Sequence, residues 1–229
     1  MIMKKNIALT LILLLAGYYS YADGYWLELK GAGLPGDTLS IRVRYGGVDE
    51  KGNRYLKKDA ELDKMKGFRV FIIDKAGRRE DITIKQYPEY WAGNFIPREK
   101  GIYRIFAINE SLPIVERPDS SQNVKPVQYL CAAYRIGRND IYIGAIQRLD
   151  LQVEVKGEII RIVPSVEGRP VSDETRLRIF YPDNHSEMIP VNKEGAANFS
   201  MAGKGLYLIR LDRMEGRVRH RCDYSLQMN

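Results

Sequence analysis

Leu39, Ile41, Val43 and Tyr45 alternate with Ser40, Arg42 and Arg44. A period of two places one apolar and one wet face on a β-strand. Leu149, Leu151, Val153 and Val155 repeat the pattern, with Asp150, Gln152 and Glu154 as the polar partners. Further strands are predicted over Phe68–Ile73, Ile102–Ile108, Val127–Tyr134, Leu177–Tyr181, Leu206–Leu211 and Val218–Leu226. Turn chemistry separates them: Pro35-Gly36-Asp37, Asp74-Lys75-Ala76-Gly77 and Pro182-Asp183-Asn184. No segment sustains a helical period. The nearest, Lys57–Lys66, is short and highly charged and reads as a surface turn or a single helix.

An internal echo runs through the strands. Asn94-Phe95, Lys100-Gly101, Tyr103 and Ile105 recur as Asn198-Phe199, Lys204-Gly205, Tyr207 and Ile209 at one fixed offset without a gap. Upstream, Phe68-Arg69-Val70-Phe71 is matched by Leu177-Arg178-Ile179-Phe180, each leading into an Asp-containing turn. Each glycine can supply the positive φ of a tight turn, and the aromatic rings can fill the space between two sheets. The reading is all-β: two tandem immunoglobulin-like or transthyretin-like sandwiches, at 23–140 and 149–229, with the boundary inside Gly137–Arg148.

Ahead of them, Lys4-Lys5, the apolar run Ile7 to Ala16 and Ser20-Tyr21-Ala22 have the three-part layout of a secretory signal over residues 1–22. The run is too short to span a bilayer, and no stop-transfer segment follows it. The expectation is export, cleavage after Ala22, and a soluble periplasmic protein starting at Asp23 with no membrane span. Cleavage would leave 207 of the 229 residues and lower the formal charge from +7 to +5. The basic residues are dispersed; Lys57-Lys58 and Arg78-Arg79 suit solvated turns. Together with the export signal this argues against nucleic acid as a partner.

The segment Ala22-Asp23-Gly24-Tyr25-Trp26-Leu27-Glu28-Leu29, followed by Pro35-Gly36-Asp37 and an alternating strand, resembles the start of a family of exported bacterial proteins. These have long been described as the substrate-specific component of nickel/cobalt uptake. Gly168-Arg169-Pro170-Val171 and the stretch from Glu194-Gly195 through Asn198-Phe199 to Gly205-Leu206-Tyr207 resemble its ending. The resemblance implies two β-domains, a transition-metal ligand and an envelope transport or receptor protein as partner. Where the family carries a histidine after the cleavage-site alanine, this chain has Asp23-Gly24.

The candidate chemistry is sparse. His220 and Cys222 stand two apart, on one face of a strand, and could share a metal ion, although Arg219 and Arg221 flank them. His185, with Asp183 and Glu187, is a second candidate ligand or an ordinary hairpin turn. Cys131 and Cys222 could form a disulfide between the two modules in an exported compartment, or be small buried hydrophobes. Trp26 is expected to pack inside the first strand. Tyr87, Tyr90 and Trp91, read as lying in a loop, could hold a carbohydrate or peptide or fold back onto the core. A purely structural role, by strand addition to an envelope complex, is the other alternative. The chain has no Gly-x-Ser-x-Gly elbow, phosphate-cradling Gly-rich loop or His-Glu-x-x-His. Asp49-Glu50 and Asp173-Glu174 read as turn residues. The sequence therefore points to a binding or accessory protein rather than an enzyme.

Overall fold

The computed structural model describes residues 23–49, 54–137, 144–171 and 175–228. The proposed signal, Glu50, Asp173-Glu174 and residues 138–143 of the Gly137–Arg148 boundary segment lie outside them. The first module contributes β1 (Gly24–Lys30), β2 (Leu39–Val48), β3 (Arg54–Leu56), β4 (Arg69–Ile73), β5 (Arg79–Ile82), β6 (Lys85–Tyr87), β7 (Tyr90–Phe95), β8 (Gly101–Asn109) and β9 (Lys125–Ile136). The second contributes β10 (Leu149–Lys156), β11 (Ile159–Val166), β12 (Arg169–Pro170), β13 (Arg176–Phe180), β14 (Ser186–Pro190), β15 (Ala197–Ser200), β16 (Gly205–Glu215) and β17 (Val218–Met228). The architecture is the expected all-β, immunoglobulin-like one. Among the described residues no helix is long and apolar enough to cross a membrane.

The two modules share one sheet. β9 and β17, the last strand of each, pair in parallel from Val218↔Lys125 to Ser225↔Ala132. The result is an eight-stranded sheet in the order β14-β13-β16-β17-β9-β8-β4-β5. Read outward from the β9–β17 seam, each half repeats the other. A second sheet, β1-β2-β7-β6 with β3 on β2, packs on the first module's half; β10-β11-β12, with β15 on β11, packs on the second's. Because side chains alternate across a strand, β9 shows which face each cover takes. Leu130 and Ala132 enter the first module's core, while Tyr129 and Cys131 enter the second's. The covering sheets thus lie on opposite faces, as an approximate twofold axis along the strands requires.

The echoed residues build the same corner in each copy. Tyr103 donates its hydroxyl proton to the Glu99 carbonyl at 2.8 Å and accepts from the Glu99 amide at 3.2 Å. Tyr207 donates to the Gly203 carbonyl at 2.7 Å and accepts from the Ala202 amide at 3.0 Å. Each ring tilts against the echoed phenylalanine, Phe95 at 5.4 Å or Phe199 at 5.9 Å. This is the tyrosine corner of immunoglobulin-like sandwiches. Gly101 and Gly205 start the strands that carry these tyrosines, at φ of 150° and 129°, a region that side-chain-bearing residues avoid.

Three expectations are corrected. Asp150, read as a solvent-facing partner, is fully buried. Its carboxylate accepts from Arg104 Nη2 at 2.6 Å and from the Ile146 and Leu151 amides at 2.8 Å each. The stretch read as a surface turn or a single helix is a 3-10 helix, Asp59–Gly67, and it is not superficial: Leu62 and Met65 are completely buried in the first core. The aromatic "loop" at Tyr87 is a tight β6–β7 hairpin with Tyr87 directly opposite Tyr90.

Two outcomes follow from these contacts. Tyr103→Phe and Tyr207→Phe each strand a backbone amide and carbonyl, and each should cost about 1–3 kcal/mol in urea unfolding. Because the modules share a sheet, either substitution should shift a single cooperative transition rather than split it. Asp150→Ala breaks the buried Arg104–Asp150 ion pair and strands the Ile146 and Leu151 amides, and should cost roughly 3–5 kcal/mol by the same measurement.

Candidate functional site

At the seam, each module's arginine reaches under the first strand of the other. Arg104 of β8 meets Asp150 of β10. Arg210 of β16 runs beneath β1, its Nη2 2.6 Å from where a Cβ on Gly24 would stand, so a side chain there would have to displace the guanidinium. Arg210 Nε donates to Asp223 at 2.6 Å, and Asp223 also accepts from Gln128 of β9 at 2.9 Å. The Ser225 hydroxyl of β17 accepts from the Leu27 amide of β1 at 3.0 Å.

The approximate twofold breaks on one side. In the first module Phe71 and Phe106 stack at 5.2 Å and join the second module's core, which closes that reverse face. The sheet register, Phe71↔Phe106 in one copy and Arg178↔Arg210 in the other, places Arg178 where the first copy has Phe71, and Arg210 where it has Phe106. Arg210 lies 4.9 Å over the Phe180 ring in place of a ring stack. No residue of the second module enters the first module's core cluster. What remains is a cleft of about 210 Å³ between the β1–β2–β3 edge and the uncovered face of β13, β16 and β17. Trp26, Val48, Phe180 and Leu208 form apolar walls, and Gly46-Gly47 form part of the rim.

Four arginines line the cleft: Arg54, Arg178, Arg210 and Arg221. Two are neutralised, Arg210 by Asp223 and Arg221 by both oxygens of Asp212 at 2.7 and 3.1 Å. The other two have no carboxylate partner among the described residues. Arg54 Nε reaches the Asn184 side-chain oxygen at 3.3 Å, and its guanidinium lies 5.7 Å from the Trp26 ring centroid. Burial lowers its pKa from the ordinary value, the sign of a cation taken from water without a counter-charge. Arg178 stands directly opposite Arg210 in the β13–β16 pairing, a like-charge register that disfavours the sheet. Arg69, which matches it in the sequence echo, does have a carboxylate, Glu110 at 2.6 Å. Asn184 takes a left-handed φ of 71° in the turn that borders the cleft.

The residues singled out by sequence fall elsewhere. Trp91 Nε1 donates to the Leu62 carbonyl at 3.1 Å, and the ring packs on the first core. Tyr87, 46% exposed, stacks on Tyr90 at 5.1 Å, and Tyr90 in turn lies 4.6 Å from both Arg42 and Arg44. The three rings therefore do not form a coplanar platform; their faces are already taken. Trp26 is buried as expected but lines the cleft rather than entering either core cluster.

His220 and Cys222 do share the face of β17 that enters the second core. His220 Nδ1 lies 3.2 Å from the Tyr129 hydroxyl, and Nε2 lies 3.6 Å from Glu215. Cys222 Sγ is 3.7 Å from Cys131 Sγ, both as free thiols, and 3.6 Å from Gln147 Nε2. Burial pushes the Cys222 thiol well above its ordinary pKa, so it is a poor thiolate. His185 stacks on Tyr181 at 4.1 Å and bonds to Asp183 at 2.5 Å, while Glu187 is taken by the Tyr181 hydroxyl. Among the described residues no three of His, Cys, Asp and Glu gather into a group able to hold a metal ion.

The end strands of the central sheet are both guarded. β5 presents Arg79, Glu80 and Asp81, and β14 is five residues long and ends in Pro190. Charges and proline on an edge discourage the addition of a further strand.

No protein-family model and no curated protein matches the chain. Among solved structures, a two-domain fibronectin type-III segment of chicken tenascin is similar at 11% identity, covering 90% of this chain and 100% of its own, with a TM-score of 0.27. A score that low carries no argument, and the fold assignment rests on the strand order and the two tyrosine corners.

Burial lowers the His220 pKa below its ordinary value, with the nearby Glu215 opposing the shift and Arg148 and Arg213 adding to it. The unfolded chain then takes up a proton at higher pH than the folded one. Stability contributed here is lost as pH falls from about 6.5 toward the depressed folded value and regained as it rises. Wild type should therefore gain more stability between about pH 5.5 and 7.5 than His220→Gln, as read by urea midpoints. Parallel pH profiles would show that folding does not lower the His220 pKa.

Proposed function

We propose that this protein is an exported, non-enzymatic binding component of the bacterial cell envelope, holding a small ligand in the cleft between its two sandwiches beside a transport or receptor protein. The single observation that carries the reading is the broken repeat. Where the first copy seals its reverse face with Phe71 on Phe106, the second sets Arg178 opposite Arg210, beside Phe180 and Arg54, around an open cavity. A duplicated scaffold that is closed at one of two equivalent places and open at the other has a use for the opening. The lysine-led apolar leader and Ser20-Tyr21-Ala22 support export.

Binding needs no covalent step. Small-ligand sites form preferentially at interfaces between domains, with apolar walls and a few placed polar groups to fix orientation. The nickel/cobalt role implied by family resemblance draws less support, because His220 and Cys222 are engaged inside the second core and the family's amino-terminal histidine is absent. The carbohydrate or peptide reading loses its aromatic platform, and strand addition meets two guarded edges.

The test is a thermal-shift screen of the mature chain, from Asp23 onward, against sugars, amino acids, organic acids, and nickel and cobalt salts. Ligands that raise the Tm of wild type should lose their effect in Ser186→Trp, which fills the cleft from an exposed position on β14. A hit that stabilises Ser186→Trp equally would place the site elsewhere. Retention of nickel or cobalt by both proteins would return the metal reading to first place.

A further inference from the structure

We infer that the cleft ligand is a small organic carboxylate: one carboxylate gripped by Arg54 and Arg178, and a flat apolar body between Trp26 and Phe180. This rests on the cleft being a binding site and goes further in naming what it binds.

The argument is one of unmet charge. Arg210 and Arg221 each have an aspartate within bonding distance, so the cleft can neutralise an arginine where it needs to. Arg54 and Arg178 are left without one among the described residues. Arg54 carries the larger penalty, since it is desolvated and has only an amide oxygen and a ring face for company. A buried cation without a counter-charge is costly, and an incoming anion relieves that cost. Arg178 adds a second cation, held directly opposite Arg210. An anion settling between Arg54 and Arg178 would give the desolvated cation and the opposed one a shared counter-charge.

Geometry narrows the class. A guanidinium offers a planar fork that matches the two oxygens of a carboxylate. Of the remaining lining, Asn184, Ser186 and Asp212 are polar, while Trp26, Val48, Phe180 and Leu208 are apolar and offer nothing to the outer oxygens of a phosphate. These apolar walls do suit a flat apolar group. A cavity of about 210 Å³ limits that group to a ring or a short chain.

Benzoate is the smallest probe with both parts, and benzamide is its uncharged isostere. Each would be titrated into isotopically labelled mature protein and followed by the amide signals of Gly46 and Gly47 and the Trp26 indole. Benzoate should shift these signals saturably, benzamide should not, and Arg178→Gln should weaken benzoate roughly tenfold or more. Arg178 is exposed and pairs with no carboxylate among the described residues, so this variant should fold as wild type does. Equal shifts with benzoate and benzamide would keep the cleft as a binding site and overturn the carboxylate. Benzoate binding that is indifferent to Arg178→Gln would overturn the arginine grip. If neither probe moves the cleft signals, the carboxylate inference is overturned, and only the broader screen against Ser186→Trp then speaks for the cleft.

Discussion

The parallel pairing of β9 with β17 is the constraint on which the rest depends. Each is the last strand of a sandwich and would otherwise be an exposed edge with unpaired amides and carbonyls, an invitation to aggregation. Pairing them covers both edges at once over eight residue pairs, Val218↔Lys125 to Ser225↔Ala132. Parallel rather than antiparallel alignment then dictates the shape. Two equivalent strands running the same way side by side are related by an axis along their length, and that operation turns the sheet over. The covering sheets must therefore lie on opposite faces.

That flip leaves each half of the central sheet with a reverse face near the other module. Apolar packing and buried ion pairs share the task of filling the space. On one side Phe71, Ile73 and Phe106 extend the second core beneath β10, and Arg104 is tied to Asp150. On the other, β1 reaches over β9 and β17, Arg210 is tied to Asp223, and the packing stops short. Replacing Phe106 of the first copy by Arg210 in the second substitutes a cation for a ring at equivalent places. The cleft is a consequence of that exchange.

Much of the fold was legible in the sequence because strands announce themselves by period. Leu39, Ile41 and Val43 are all fully buried, and the echoed Tyr103 and Tyr207 close the same corner. The failures share one cause, namely partners far away in sequence. Asp150 alternates with leucines like a surface residue, yet it is buried because Arg104 arrives from 46 positions away. Trp91 does fold back onto the core, one of its two readings, but its anchor, the Leu62 carbonyl of the Asp59–Gly67 segment, lies 29 positions away. The cleft was missed for the same reason. Nothing local sets Arg178 apart from its echo Arg69; one faces Arg210 across a strand and the other reaches Glu110. A usable signal did exist in the comparison of the two copies. Aligned at their fixed offset, Phe106 and Arg210 form an apolar-to-charged mismatch inside predicted strands.

That mismatch carries a general consequence for duplicated folds. When two copies of one module pack about an approximate axis, positions kept alike in both are explained by the module itself, as Tyr103 and Tyr207 are. Positions that differ in chemistry at equivalent buried places need a reason outside the module. Arg210 has part of its reason in Asp223 and Gln128, which tie β16 to the seam. Arg54 and Arg178 have none within the described fold, since both stand at the one opening the axis should have closed. A fold can carry desolvated or opposed cations if other contacts over-determine the structure, and functional sites are where such unresolved costs collect. The eight-residue seam and the two tyrosine corners supply that over-determination here. The stable part of the molecule is what allows the cleft to remain electrostatically incomplete.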